Sequence, residues 1–128
     1  MDRIELKKFI TETYNAAVDF PWSEYPNYEV FRHHNNRKWF ALIMDVPKEK
    51  LGLSGKDVLN VVNLKCEPIM IGSLRLEPGF FPAYHMSKEN WITVALDGSV
   101  PDDKIKTLLD ISFELTSLKT KKIRRKSE

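Results

Sequence analysis

The stretch YEVFRHHNNRKWFALIMDV, residues 28–46, decides the fold class. Polar and apolar residues alternate on both sides of Asn35-Asn36, the pattern of two strands that each present two different faces. On the first flank Tyr28, Val30, Arg32 and His34 share one face, while Glu29, Phe31 and His33 share the other. On the second, Lys38, Phe40, Leu42 and Met44 oppose Trp39, Ala41 and Ile43. Asn35 and Asn36 tolerate the left-handed backbone of a tight turn, so the stretch is expected to be a β-hairpin.

Upstream of the hairpin the pattern changes to helical. Asp2 and Glu5 have capping-box spacing, and Leu6, Phe9, Ile10, Thr13 and Ala17 recur at helical intervals. Pro21 and Pro26 oppose its continuation, and Phe20, Trp22, Tyr25 and Tyr28 make an aromatic connection expected to fold over the core. Downstream, DVLNVVNLKC (57–66) is a third β-rich run, with Val58, Asn60, Val62 and Leu64 alternating against Leu59, Val61 and Asn63. Glu67-Pro68 opens a short second helix, which EPGFFP (77–82) ends in a turn. A fourth strand, NWITVALDG (90–98), closes at Asp97-Gly98. Ser99 and Asp102 then suggest a second capping box, before a helix with an apolar stripe through Ile105, Leu108, Leu109, Ile111, Leu115 and Leu118. The order α-β-β-β-α-β-α describes an α+β protein of two layers, an antiparallel sheet packed on one face against helices.

At 128 residues the chain suits one domain, expected over residues 1–118. No apolar run approaches the length that spans a bilayer, so no membrane partner is expected. MDRIELKKF at the N-terminus lacks the apolar region of a secretory signal, and the expected location is the cytoplasm. Cys66 is the one cysteine, which excludes an intrachain disulfide and suits a buried thiol. The net charge of +2 is unevenly placed. Residues 119–128 hold six of the 20 Lys and Arg and one of the 18 Asp and Glu, leaving residues 1–118 with 14 basic and 17 acidic groups, a net of −3. The basic character therefore belongs to a C-terminal tail.

The densest chemistry lies in FPAYHMSKENWITVALDGSVPD, residues 81–102. His85 and Lys88 are three residues apart and Tyr84 adjoins them, yet no strained nucleophile elbow accompanies Ser87, so catalysis is not expected. His33 and His34 are neighbours on a strand, point to opposite faces and cannot chelate together, and no metal-ligand spacing occurs elsewhere. Neither a metal nor a cofactor is expected, and no glycine-rich loop opens a helix to cradle phosphate. Cations cluster instead at the hairpin tip, RHHNNRK: Arg32, Arg37 and Lys38, which Lys65 and Lys88 could extend. Lys121, Lys122, Arg124 and Arg125 in the tail complete the candidate nucleic-acid contacts. The alternative is a protein-interaction or small-ligand module built on the aromatic segment 20–31.

YHMSKENWITVALDGSVPDDKIKTLLDISFELT (84–116) resembles the signature of the MmcQ/YjbR-like family. Tyr84, His85, Met86, Lys88, Trp91, Thr93, Val94, Leu96, Asp97, Gly98 and Pro101 match its pattern. VFRHHNNRKWFALI resembles the family's hairpin, and LKCEP its step into the second helix. Ala83 stands where the pattern has glycine and Ser87 where it has asparagine, which touches loop geometry. The resemblance implies a bacterial cytoplasmic protein with a fold akin to frataxin-like or secretion-chaperone-like two-layer folds. It also implies non-enzymatic DNA binding through a "double wing" of hairpins.

Overall fold

In the computed structural model, which describes residues 1–117, three α-helices, six strands and one 3-10 turn (Lys48–Leu51) follow one another along the chain. Helix α1 (Arg3–Tyr14) is followed by β1 (Ala17–Asp19), β2 (Glu29–Arg32), β3 (Trp39–Pro47) and β4 (Val58–Lys65). Then come α2 (Pro68–Leu74), β5 (Phe80–Pro82), β6 (Trp91–Ala95) and α3 (Asp102–Leu115). The strands form one sheet in the order β1-β2-β3-β4-β6-β5, and every pairing is antiparallel. The fold is α+β, as the hairpin and the helical ends required. The basic tail and Leu118 lie outside the described residues.

Local chemistry explains the boundaries. At the start of α1, Asp2 Oδ1 accepts the Glu5 N–H at 2.8 Å and Glu5 Oε1 accepts the Asp2 N–H at 2.9 Å, the expected capping box. The helix ends earlier than its periodicity suggests, because Asn15 turns left-handed at φ 50°. Ala17 consequently belongs to β1, a three-residue edge strand too short to show alternation. The other edge strand, β5, lies in the segment read as a turn, and Pro82 ends it at the sheet margin, where a missing N–H does no harm. The last helix also differs from expectation. Its cap is Pro101 with no side-chain bond, since Asp97 Oδ1 accepts both the N–H (3.0 Å) and the hydroxyl of Ser99.

The hairpin holds, with a different tip. Six residues, 33–38, connect β2 to β3. Across them the His33 N–H donates to the Lys38 carbonyl at 3.0 Å. The left-handed residue is Arg37, at φ 63°, rather than either asparagine. Asn36 works through its side chain, accepting the Lys38 N–H at 2.9 Å and donating to the Thr116 carbonyl at 2.8 Å. Register then slips by one residue, Phe31 facing Ala41 but Arg32 facing Trp39. This bulge turns Phe40 toward the helices beside Ala41 and Ile43, and leaves Trp39 with Leu42 and Met44 on the opposite face. Strict alternation had placed Phe40 with Leu42. Where the β3–β4 ladder ends, the Ser112 hydroxyl donates to the Phe40 carbonyl at 2.6 Å and accepts the Lys65 N–H at 2.9 Å. A buried serine of α3 thus bridges the two backbone groups that the ladder leaves unpaired.

Both faces of the sheet are covered. On one, Leu6, Ile10, Ile105, Leu108 and Leu109 of α1 and α3 close over Phe31, Phe40, Ile43, Leu64 and Ile92. Cys66 joins this core, where burial pushes its thiol up to about 11 and keeps it protonated. The expectation of a single covered face is incomplete. Tyr28, Val30, Leu42, Met44, Val46, Leu59, Val61 and Ala95 form a second buried cluster, roofed by Trp22, Trp39, Phe81, Tyr84 and Met86. The loops 20–28 and 83–90 supply Trp22, Tyr84 and Met86 of that roof.

Candidate ligand cleft

The 20–28 loop is built to aim rings in one direction. The Tyr25 N–H donates to the Trp22 carbonyl at 3.2 Å, and the Tyr28 N–H to the Tyr25 carbonyl at 3.1 Å. Two consecutive turns therefore repeat every three residues and bring Trp22, Tyr25 and Tyr28 together. Tyr25 and Tyr28 stack at 4.7 Å and 18°, while Trp22 meets Tyr28 edge-on at 5.9 Å and Trp39 edge-on at 5.6 Å. Edge-to-face pairs fix ring orientation better than apolar contact alone.

The 83–90 loop faces it and is anchored from below. Asn63, in the middle of β4, and Thr93, opposite it on β6, are both fully buried on this face. Thr93 Oγ1 donates to Asn63 Oδ1 at 2.5 Å and accepts the Tyr84 N–H at 2.9 Å, and Asn63 Nδ2 donates to the Tyr84 carbonyl at 2.8 Å. Both backbone groups of Tyr84 are thus bonded to the sheet, and the residue after it takes the strain. His85 sits at φ 65°, in the left-handed region that non-glycine residues seldom adopt, histidine more readily than most. Lys88 closes the loop by donating to the Ala83 carbonyl at 3.0 Å.

Between the loops lies a cleft of about 360 Å³, lined by Trp22, Tyr25, Tyr28, Trp39, Leu42, Met44, His85, Met86 and Ser87. Leu42 and Met44 come from β3, and five rings stand around them. Burial, with Tyr84, Asp45 and Tyr25 nearby, pushes the Tyr28 phenol up to about 12, so it stays a neutral donor at ordinary pH. His85 touches Tyr84 at 4.1 Å, and the Ser87 hydroxyl accepts from Asn90 at 3.3 Å.

The residues expected from sequence to bind or to define the family are spread over several parts of the fold. Tyr84, His85, Lys88 and Trp91 belong to the cleft's own loop or its junction with β6, Trp91 pairing across to Lys65. Asp97 and Gly98 build the turn before α3, where the Ser99 hydroxyl and N–H hold the Asp97 carboxyl below the usual range. Arg37 and Lys38 are exposed at the hairpin tip. Arg32 is engaged internally, 3.1 Å from Asp19, 3.3 Å from the Arg37 carbonyl and 5.2 Å from the Trp39 ring. Lys121, Lys122, Arg124 and Arg125 lie outside the described residues. His33 packs under the helices, with Nε2 2.7 Å from the Thr116 hydroxyl, on the face away from His85. Among the described residues no three His, Cys, Asp or Glu side chains are grouped to hold a metal. No helix among them is long and apolar enough to cross a membrane. Sequence reading passed over Asn63 and Thr93 as ordinary strand positions, although a polar residue in mid-strand on a covered face is the available signal of a buried bond.

The YjbR family model matches residues 5–115, nearly the whole described chain. The chain belongs to the YjbR family. It is 42% identical over 116 residues to the uncharacterized protein YyaQ of Bacillus subtilis, covering 91% of this chain and 98% of that one. The uncharacterized YjbR of Escherichia coli K12 is 40% identical over 62 residues, 46% of this chain and 52% of its own. A crystal structure of a Pseudomonas syringae protein superposes with a TM-score of 0.89 at 45% identity, covering 91% of this chain and all (100%) of that one. A Deinococcus radiodurans protein with a DUF419 domain superposes at 0.71 with 25% identity, over 93% and 80% of the two chains. The six-stranded sheet and its helices are therefore a YjbR fold, and the signature from Tyr84 to Gly98 contains the cleft's anchored loop.

Proposed function

We propose that this YjbR-family chain is a binding module without chemistry of its own, and that the aromatic cleft is its working surface. The observation carrying this reading is the cleft itself, five rings set around Leu42 and Met44. A fully buried Asn63–Thr93 pair holds Tyr84, and with it the loop that brings His85 and Met86 to the cleft. The cleft's polar side chains do not form a catalytic set, since Ser87 is engaged by Asn90 and His85 by tyrosine rings. A panel of one- and two-ring fragments screened by saturation-transfer NMR is expected to yield ligands of wild type. Trp39→Ala should lose them, with its circular dichroism spectrum unchanged. Fragments that bind the variant equally well would overturn the assignment.

A second reading, DNA binding through the β2–β3 tip, is favoured by the exposure of Arg37 and Lys38 directly beside Trp39. It expects log K to fall linearly with log salt, and Arg37→Ala with Lys38→Ala to weaken all sequences alike. Salt-independent binding, or none at about 50 mM salt, counts against it.

A further inference from the structure

We infer that the cleft takes a planar aromatic small molecule carrying a negative charge, an inference that rests on the cleft being the working surface. The volume of about 360 Å³ lies at the small end of ligand sites, roughly 300–1,000 Å³, which suits one or two fused rings. Perpendicular and stacked rings on its walls offer both a face and an edge to such a group.

The charge follows from the rim. Aromatic walls also attract cations, but no carboxylate lines this cleft, and the Arg32 guanidinium already lies 5.2 Å from the Trp39 ring. Arg32 Nε is buried without a hydrogen-bond partner among the described residues. Its charge is matched by Asp19, so the excess comes from Lys65. Lys65 lies on β4 two residues beyond Asn63, the cross-strand partner of Leu42, and alternation puts its side chain on the cleft face. Lys65 is not ion-paired among the described residues. Lys65 therefore makes the cleft face positive at its Trp39 end, which orients an anionic ligand with its charge toward Lys65.

The test titrates the full chain with adenosine 5′-monophosphate, adenosine and choline, following tryptophan emission excited on the red edge. The monophosphate is expected to quench and saturate, adenosine to bind several-fold more weakly, and choline to leave the emission unchanged. Lys65→Gln should weaken the monophosphate about threefold and leave adenosine unaffected, as one half-exposed charge contact allows. Adenosine equal to the monophosphate, or saturation by choline, overturns the anionic class while leaving the cleft a binding site. No response to any of the three, in a protein that also yields no fragment ligands, overturns both.

Discussion

Asn63→Ala is expected to lower stability by about 2–6 kcal/mol, because it strands two polar groups at once at about 1–3 kcal/mol each. The Tyr84 carbonyl loses its donor at 2.8 Å and the Thr93 hydroxyl its acceptor at 2.5 Å, in a site closed to water. The loss should appear in urea unfolding as a lower midpoint with an unchanged slope. Backbone amides of the 83–90 loop should exchange faster than those of β4, since Tyr84 is the point where the loop is tied down. Thr93→Val removes the acceptor of the Tyr84 N–H, so the double variant should cost less than the sum of the two single ones. A loss below about 1 kcal/mol for Asn63→Ala would show that the loop is held by its apolar contacts instead.

Gly79→Ala should be nearly as costly, at about 2–5 kcal/mol. Gly79 has φ 86°, and an added Cβ would stand 2.6 Å from Val100 Cγ2 and 3.0 Å from Ser99 Cβ. The left-handed backbone contributes about 1–2 kcal/mol and the overpacking about 1–3. The same glycine accepts the Ala95 N–H at 2.8 Å where β5 meets β6, so a backbone shift that relieves the clash also loosens the edge strand. Gly98→Ala is the control. It shares the left-handed backbone, φ 89°, yet a Cβ there meets nothing within 4 Å, so thermal unfolding should show only the smaller, conformational part. Equal losses in the two variants would remove the steric account.

How far the sequence reaches depends on whether its signals are local. The capping box of Asp2 and Glu5, the hairpin and the Asp97-Gly98 turn are each contained within a few residues, and each forms. The bulge at Phe40 is invisible to alternation because it depends on Ser112, 72 residues away, to satisfy the strand end. Edge strands β1 and β5 have three residues each, too few to establish a period. Trp22, Tyr25 and His85 were legible as candidate residues, but their meeting was not. Nothing in the spacing of the 20–28 and 83–90 loops says that both fold over the same sheet face. Asn63 and Thr93 were hidden for a related reason: a buried amide is identified by its partner, and the partner is 30 residues away.

Indole and amide chemical shifts of ¹⁵N-labelled protein, titrated with adenosine 5′-monophosphate, test the central claim most directly. If the cleft between the two loops is the working surface, the indole N–H signals of Trp22 and Trp39 and the amides of His85 and Met86 shift together with one dissociation constant. Shifts confined to the hairpin tip at residues 34–38, with both indoles unmoved, would contradict it.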